Sequence, residues 1–474
     1  MLKNPLRLSH FILPLSLSLM SPSLLASSFQ LMENSVQGAG NAHAGEAARA
    51  EDASTVFFNP AGMTFLKEDA VETGVHLVAP RFSFSGEGHF SGLVPALGQS
   101  RFDQGSGGDN GATVAAVPNF YYSHVLNQEW RLGLGINAPF GLKTSYDSKW
   151  VGRYSAVDSE LTTINFNPAI AYKATPELSL GLGLNAMYAD ATLSNAVDYN
   201  LAIPQTLVNA LKGGGLIDAN SMVMGDSSGD GLATVNGDDW GYGFNFGLLW
   251  QAQPNTRIGL HYRSKVSFNL LGDVTFSNPS DANTLIALNS LRQRANVFTN
   301  SDANANIDLP ETVSLHFHHQ FNKQWAILGG MNWTRWSRLP NITIEFANPN
   351  QPASITRLYY KNSRFYSLGA TYQYNDQWTF RTGLAYDESP VTSAEHRSPR
   401  IPDNNRLWLS LGLDYDINKN LDLSVSYSHL FISDININST EAHSAGTTPQ
   451  GYHQVTGQYK ADVNILGARI NWRF

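Results

Sequence analysis

Trp240-Gly241-Tyr242-Gly243-Phe244-Asn245-Phe246-Gly247-Leu248-Leu249-Trp250 alternates bulky apolar residues with small or polar ones. Trp240, Tyr242, Phe244, Phe246, Leu248 and Trp250 share one face, while Gly241, Gly243, Asn245, Gly247 and Gln251 fall on the other. A period of two is the period of a β-strand, and this contrast suits a strand with lipid on one side and a lumen on the other. The rhythm repeats in Leu178, Leu180, Leu182 and Leu184 against Ser179, Gly181, Gly183 and Asn185. It returns in Leu407, Leu409, Leu411, Leu413 and Tyr415, and again in Leu421, Leu423, Val425 and Tyr427. Small inward residues let the wall approach something inside it.

Such segments span 70–86, 111–126, 130–142, 160–173, 177–193, 240–252, 256–276, 310–322, 324–347, 357–375, 377–388, 405–417, 420–438 and 459–474. Fourteen is an even number, as closure of an antiparallel bacterial barrel requires. The links alternate too. Asn127–Glu129, Ala174–Pro176, Gln253–Asn255, Lys323, Asp376 and Asn418–Lys419 are tight turns, and the intervening connections are long. Short periplasmic turns and long external loops give an all-β, 14-stranded antiparallel transmembrane β-barrel over 70–474. A soluble sandwich would not explain the alternation. At the C-terminus Leu466, Ala468, Ile470, Trp472 and Phe474 face lipid, while Gly467, Arg469, Asn471 and Arg473 face inward. A terminal Phe in this register looks like the signal read by the outer-membrane assembly machinery.

Composition agrees and excludes other classes. Of 474 residues, 42 % are hydrophobic, 11 % aromatic and 15 % charged, which is too few charges for an ordinary cytoplasmic enzyme. No run beyond the N-terminus reaches the ~18–20 apolar residues of a membrane helix, and a net charge of -8 offers nucleic acid no basic field. Cysteine is absent, so disulfides play no part. Residues 1–26 read as a signal peptide, with Lys3 and Arg7 before the apolar run Phe11–Met20 and small residues Ala26, Ser27 and Ser28 at the cleavage region. Loss of those two cations moves the charge from -8 to -10. Residues 27–69 are rich in Gly and Ala, lack alternation, and are too short for a core of their own. They read as a hatch, or plug, inside the lumen; a loose periplasmic tail is the alternative.

Phe29-Gln30-Leu31, Gly38-Ala39-Gly40, Ala44-Gly45-Glu46 and Asn59-Pro60-Ala61 resemble the N-terminal hatch of the FadL family of outer-membrane long-chain fatty-acid transporters. The likeness continues through Gly135-Ile136-Asn137-Ala138-Pro139-Phe140-Gly141-Leu142, Gly152-Arg153-Tyr154, Trp240-Gly241-Tyr242-Gly243 and Tyr262-Arg263-Ser264. It includes Leu309-Pro310-Glu311, Trp336-Ser337, Arg381-Thr382-Gly383, Asp387-Glu388-Ser389-Pro390 and Ile401-Pro402-Asp403, and so covers the whole mature chain. The resemblance implies a 14-stranded barrel with an N-terminal hatch, and hydrophobic ligands: long-chain fatty acids, with aromatic-hydrocarbon importers as relatives.

Apolar solutes need capture outside, a pocket inside and an exit. Leu207 and Leu211 share a helical face in 204–213, and Leu285 and Leu288 share another in 281–298, where Asp281 can cap. These stripes either pack the loops together or form the capture groove that the resemblance implies. Pro139 and Gly141 cannot continue a regular central strand, so Ala138-Pro139-Phe140-Gly141 should bulge or kink. The resemblance makes that kink, at Pro139, Phe140 and Gly141, a lateral exit into the bilayer; the plain alternative is a strand ending at its rim. A carboxylate ligand wants a cation, and of Arg357, Lys361 and Arg364 the candidate is Arg357, with exposed loop charge as the alternative. The resemblance places a second pocket arginine near Asn195, which this chain lacks there; weaker carboxylate binding or an uncharged substrate would follow. Phe29 would line the ligand site, and Asn59, Pro60 and Ala61 would form a rigid turn in the hatch.

Other motifs weigh little. Gly225-Asp226-Ser227-Ser228-Gly229 matches a nucleophile elbow but lies in a polar loop. Asp226, Asp230, Asp238 and Asp239 could bind calcium or simply be solvated, and His316, His318 and His319 read as ordinary strand histidines rather than metal ligands. The sequence therefore predicts a monomeric passive importer of hydrophobic molecules, embedded among outer-membrane lipid and lipopolysaccharide. No catalytic residue, cofactor or metal is expected. A barrel lipase and a general diffusion porin are the disfavoured alternatives.

Overall fold

The computed structural model describes residues 28–92, 101–102, 105–445 and 448–474; the expected signal peptide, 1–26, lies outside the described residues. Its strands are β1 (Ala70–Gly92), β2 (Ala115–Val125), β3 (Trp130–Asn137, resuming as Gly141–Ser145), β4 (Asp158–Lys173), β5 (Leu178–Asp198), β6 (Asp230–Gln253) and β7 (Thr256–Arg263 and Val266–Phe276). They continue with β8 (Ser301–Leu309 and Thr312–Gln320), β9 (Trp325–Thr334 and Asn341–Phe346), β10 (Ser354–Arg357 and Ser363–Gln373), β11 (Trp378–Asp387), β12 (Arg406–Asp416), β13 (Leu421–Ile432 and Ile435–Ala445) and β14 (Thr448–Arg473). Each pairs antiparallel with its sequence neighbours. β14 returns to β1, with Ala70 opposite Arg473 and Phe90 opposite His453, and closes a 14-stranded barrel. No described helix is long and apolar enough to cross a membrane.

Four of the six short turns share one chemistry. The Oδ1 atoms of Asn127, Asn322, Asn375 and Asn418 each accept the N–H groups two and three residues ahead. Such Asx turns give a tight reversal its own acceptor. Just beyond three of them Trp130, Trp325 and Trp378 pair across the ladder with Tyr172, Tyr372 and Tyr415, at ring separations of 4.5, 4.4 and 4.5 Å. These pairs mark the periplasmic aromatic girdle.

Strand ends on the periplasmic side fall within two residues of the sequence reading, and the large differences lie on the extracellular side. β6 begins at Asp230 rather than 240, β8 at Ser301 rather than 310, and β14 at Thr448 rather than 459. Above the bilayer neither face meets lipid, so the apolar alternation stops while the hydrogen-bonded ladder continues.

Residues 28–66 lie within this wall, almost wholly buried. Three short helices, α1 (Val36–Gly40), α2 (Glu46–Arg49) and α3 (Thr55–Phe58), precede a 3-10 turn at Pro60–Phe65. They touch β12 and β13 on one side, β7 and β8 on another, and β4, β5 and β6 on a third. Wall glycines allow backbone contact: a Cβ at Gly181 would lie 2.3 Å from the Ala61 nitrogen, and one at Gly383 2.2 Å from the Asn41 carbonyl. Charges fix the same segment. Arg469 of β14 pairs with Glu72 of β1 at 3.0 Å, with Asp422 of β13 at 2.8 Å and with Asp52 of the segment at 3.8 Å. Arg381 bridges Asp414 at 2.7 Å and Glu51 at 3.2 Å. Gly383→Val should therefore unseat the segment; cells carrying it are expected to become sensitive to vancomycin, and unchanged resistance would show that the contact yields without displacement.

Candidate functional site

Two helices cover the extracellular mouth, α5 (Gln205–Gly213) and α6 (Ala282–Ala295), the latter capped by Asp281, whose Oδ1 accepts the Thr284 N–H at 2.7 Å. A shorter turn, α4 (Tyr199–Ala202), precedes them. Leu207, Leu211 and Leu288 are buried in one cluster with Ile203, Val208, Leu291 and Phe298, whereas Leu285 is only half-buried and lies outside it. The stripes face each other and pack the two loops together in this structure. Phe298 joins that cluster to a cavity beneath.

That cavity holds about 600 Å³, within the usual range for small-molecule sites. Leu193, Val235, Val274, Phe276, Ile344 and Phe346 supply apolar wall, and Arg357, Arg397 and Arg400 line it too. Arg357 is exposed at the rim, its Nη1 donating to the Tyr359 hydroxyl at 3.3 Å. The deeper cations come from the link between β11 and β12, which folds into the bore. Tyr146 donates its hydroxyl to the Pro399 carbonyl at 2.9 Å, and Thr144 donates to the Arg400 carbonyl at 3.2 Å. Arg400 is 8 % exposed. Its Nη1 donates to the carbonyls of Asp158 and Ser194 and to Ser159 Oγ, and its Nη2 to Asn195 Oδ1 at 3.2 Å. A guanidinium thus stands beside Asn195 although the sequence has no arginine there. Burial lowers the Arg400 pKa, opposed by the nearby carboxylates of Glu441 and Asp158. Arg397 donates to the Asp403 and Asn436 carbonyls, and its Nη2 makes no hydrogen bond among the described residues.

Below the cavity lies Phe29, 3 % exposed. Its ring meets Trp336 edge-on at 4.8 Å and Phe140 at 6.2 Å. Ser28 before it donates its N–H to Asp403 Oδ2 at 3.1 Å and its hydroxyl to Tyr360 at 3.0 Å. The segment runs as a short strand along the β3 break: Leu31 N donates to the Pro139 carbonyl at 2.8 Å, and Gly141 N donates to the Phe29 carbonyl at 2.9 Å. Asn137 pairs with Asn165 of β4, and the ladder resumes at Gly141 opposite Thr162. Three residues, Ala138, Pro139 and Phe140, therefore stand against two, Thr163 and Ile164. The extra residue reverses the alternation: Arg131 and Asn137, at odd positions, are buried before the break, and Phe140, Leu142 and Thr144, at even positions, after it. On the other side β2 pairs with β3 only from Phe120 onward, opposite Ile136, so Ala115–Asn119 has no β3 partner. The wall is unzipped there.

Asn59, Pro60 and Ala61 dock against β5 and β6, beside Gly181 and Gly247. Asn59 Oδ1 accepts the Ala61 N–H at 3.1 Å, and its Nδ2 donates to the carbonyls of Ala47 at 2.6 Å and Leu248 at 3.1 Å. Histidines serve the same docking. His316 Nδ1 accepts the Ala47 N–H at 3.3 Å and His318 lies 3.5 Å from Glu51, whereas His319 Nδ1 hydrogen-bonds Thr256 Oγ1 of the neighbouring β7 at 2.8 Å. Asp226 caps a short 3-10 turn at Ser227–Gly229, and Asp230 pairs with Arg153 at 2.7 Å. No group of metal-ligating side chains occurs among the described residues.

Comparison with known proteins agrees with this architecture. The profile of the "Outer membrane protein transport protein (OMPP1/FadL/TodX)" family matches residues 17–474. The chain is 32 % identical to the long-chain fatty acid transport protein of Escherichia coli O6:H1 over 425 residues, 88 % of this chain and 90 % of that protein. It is 31 % identical to outer membrane protein P1 of Haemophilus influenzae, with 95 % of each covered. Among solved structures a Pseudomonas aeruginosa FadL homologue superposes with a TM-score of 0.81 at 23 % identity, over 94 % of this chain and all of that one. The Pseudomonas putida toluene transporter TodX does so at 0.60 and 19 %, over 89 % and 94 %. A closed 14-stranded barrel, an inner N-terminal segment and a full-length family match make this chain an outer-membrane β-barrel of the OMPP1/FadL/TodX family, whose members transport hydrophobic compounds.

Proposed function

We propose that the protein passively imports long-chain fatty acids. The mouth cavity carries this reading: apolar walls suit an acyl chain, and the guanidinium groups of Arg397 and Arg400 suit its carboxylate by charge-assisted hydrogen bonds. Arg357 acts first, at the rim. Residues 27–69 serve as the hatch, Asn59, Pro60 and Ala61 as its fixed hinge, and Phe29 as the ring that a descending chain meets. Displacement of Phe29 and its neighbours frees the β3 break at Pro139, Phe140 and Gly141, and the ligand leaves sideways into the bilayer. Leu207, Leu211, Leu285 and Leu288 take part in capture only by parting the two helices. The protein acts as a monomer without enzyme chemistry, surrounded by lipopolysaccharide, after insertion by an assembly machinery that reads Phe474.

Uptake of radiolabelled oleate by cells with and without the protein tests the reading. Higher uptake with it is expected; equal uptake would end the proposal. A second reading, import of uncharged aromatic hydrocarbons, is favoured by the number of donors Arg400 already spends on Asp158, Ser159, Ser194 and Asn195. Toluene uptake in the same pair of strains separates the two.

A further inference from the structure

We propose that Tyr359 and Tyr360 form a two-sided latch through which a ligand in the mouth cavity unseats the N-terminal segment. The inference rests on the import reading above. β10 is interrupted between Arg357 and Ser363, and the two tyrosines in that break serve opposite neighbours. Tyr359 lines the cavity, its ring 4.2 Å from that of His396. Tyr360 is buried, 5.8 Å edge-on to Trp336, and receives the Ser28 hydroxyl. Trp336 in turn holds Phe29. Cavity and segment are therefore one peptide unit apart.

The backbone at that unit is strained. Tyr359 has φ 50°, a left-handed conformation that a bulky side chain rarely adopts. Of the seven non-glycine residues with positive φ among the described residues, Ser28, Ala42, His43 and Ala50 belong to the segment, while Phe298 and Tyr359 line the cavity. Strain of this kind persists where surrounding contacts hold it, and it gathers at places that switch. The side-chain contacts holding Tyr359 are its stack on His396 and the Arg357 donor to its hydroxyl, and both lie at the cavity. Its backbone is held by the Thr392 hydroxyl donating to its carbonyl at 3.3 Å and by its own N–H donating to the Pro340 carbonyl at 3.3 Å. An acyl chain that lifts the ring from His396 lets the backbone relax to negative φ, and the same rotation swings Tyr360 away from Ser28 and Trp336.

The chain has no cysteine, so Gln30→Cys provides a single thiol on the segment, and its labelling rate with a soluble maleimide, with and without saturating oleate, reports release. In that parent oleate should speed labelling. Tyr359→Asn tolerates positive φ but removes the ring, so oleate at a concentration that saturates this variant should no longer speed labelling. Tyr360→Phe leaves the cavity lining intact and deletes the bond to Ser28, so ligand-free labelling should rise about fivefold, the ratio that one net hydrogen bond carries. Equal acceleration in Tyr359→Asn and parent, or an unchanged rate in Tyr360→Phe, would overturn the latch. Oleate that binds the parent without speeding labelling overturns the latch and leaves import standing. Oleate that does not bind the parent overturns both.

Discussion

Deleting Pro139 should abolish oleate uptake while the barrel still folds. Ala138, Pro139 and Phe140 oppose only Thr163 and Ile164, so removing one residue restores a continuous two-residue alternation from Asn137 to Leu142. Proline is also the residue that cannot donate to a ladder, and its loss lets β3 bond normally. The partners that now hold the break, the Leu31 N–H on the Pro139 carbonyl and the Thr163 side-chain hydroxyl on the Phe140 carbonyl, would be replaced by backbone bonds to β4. Uptake is expected to fall to the level of cells lacking the protein. Heat-modifiable migration on a gel would show that folding is intact, and retained uptake in a folded variant would refute the lateral route.

The second large effect belongs to Arg400. Replacing it with Gln should weaken oleate binding to the purified protein by about 10- to 100-fold, the range of a lost hydrogen bond to a charged group. Binding of oleyl alcohol should change little, because it offers no carboxylate. The sign of the pH dependence follows from the ligand: the arginine remains protonated, so its contribution is present above the fatty acid's pKa and disappears as falling pH protonates the acid. Equal losses for acid and alcohol would show that Arg400 only supports the loop. Arg357→Gln, at the exposed rim, should cost much less.

Strands within the bilayer were legible because lipid on one face and a lumen on the other impose opposite chemistry at alternate positions. Their extracellular extensions, such as Asp230–Asp239 of β6, carry polar residues on both faces and left no such trace. The irregularity at Pro139 could be read from one residue's missing donor; which partners stabilise it could not, because Phe29 and Leu31 are remote in sequence. Arg397 and Arg400 were missed for the same reason. They sit in a loop, His396-Arg397-Ser398-Pro399-Arg400-Ile401-Pro402-Asp403, whose inward fold depends on contacts with Thr144, Tyr146 and Asn195. The prolines and paired arginines just before Ile401-Pro402-Asp403 were the available signal. The apolar stripes of α5 and α6 were visible, but amphipathicity names a buried face and not what covers it.

Arg469 spans the seam at which the first and last strands meet, and it reaches both Glu72 across that seam and Asp52 of the inner segment. The cylinder's final join and its contents therefore share one cation. A chain whose interior is misplaced would leave that cation one carboxylate short, so the fit of the interior is felt at the wall's last join.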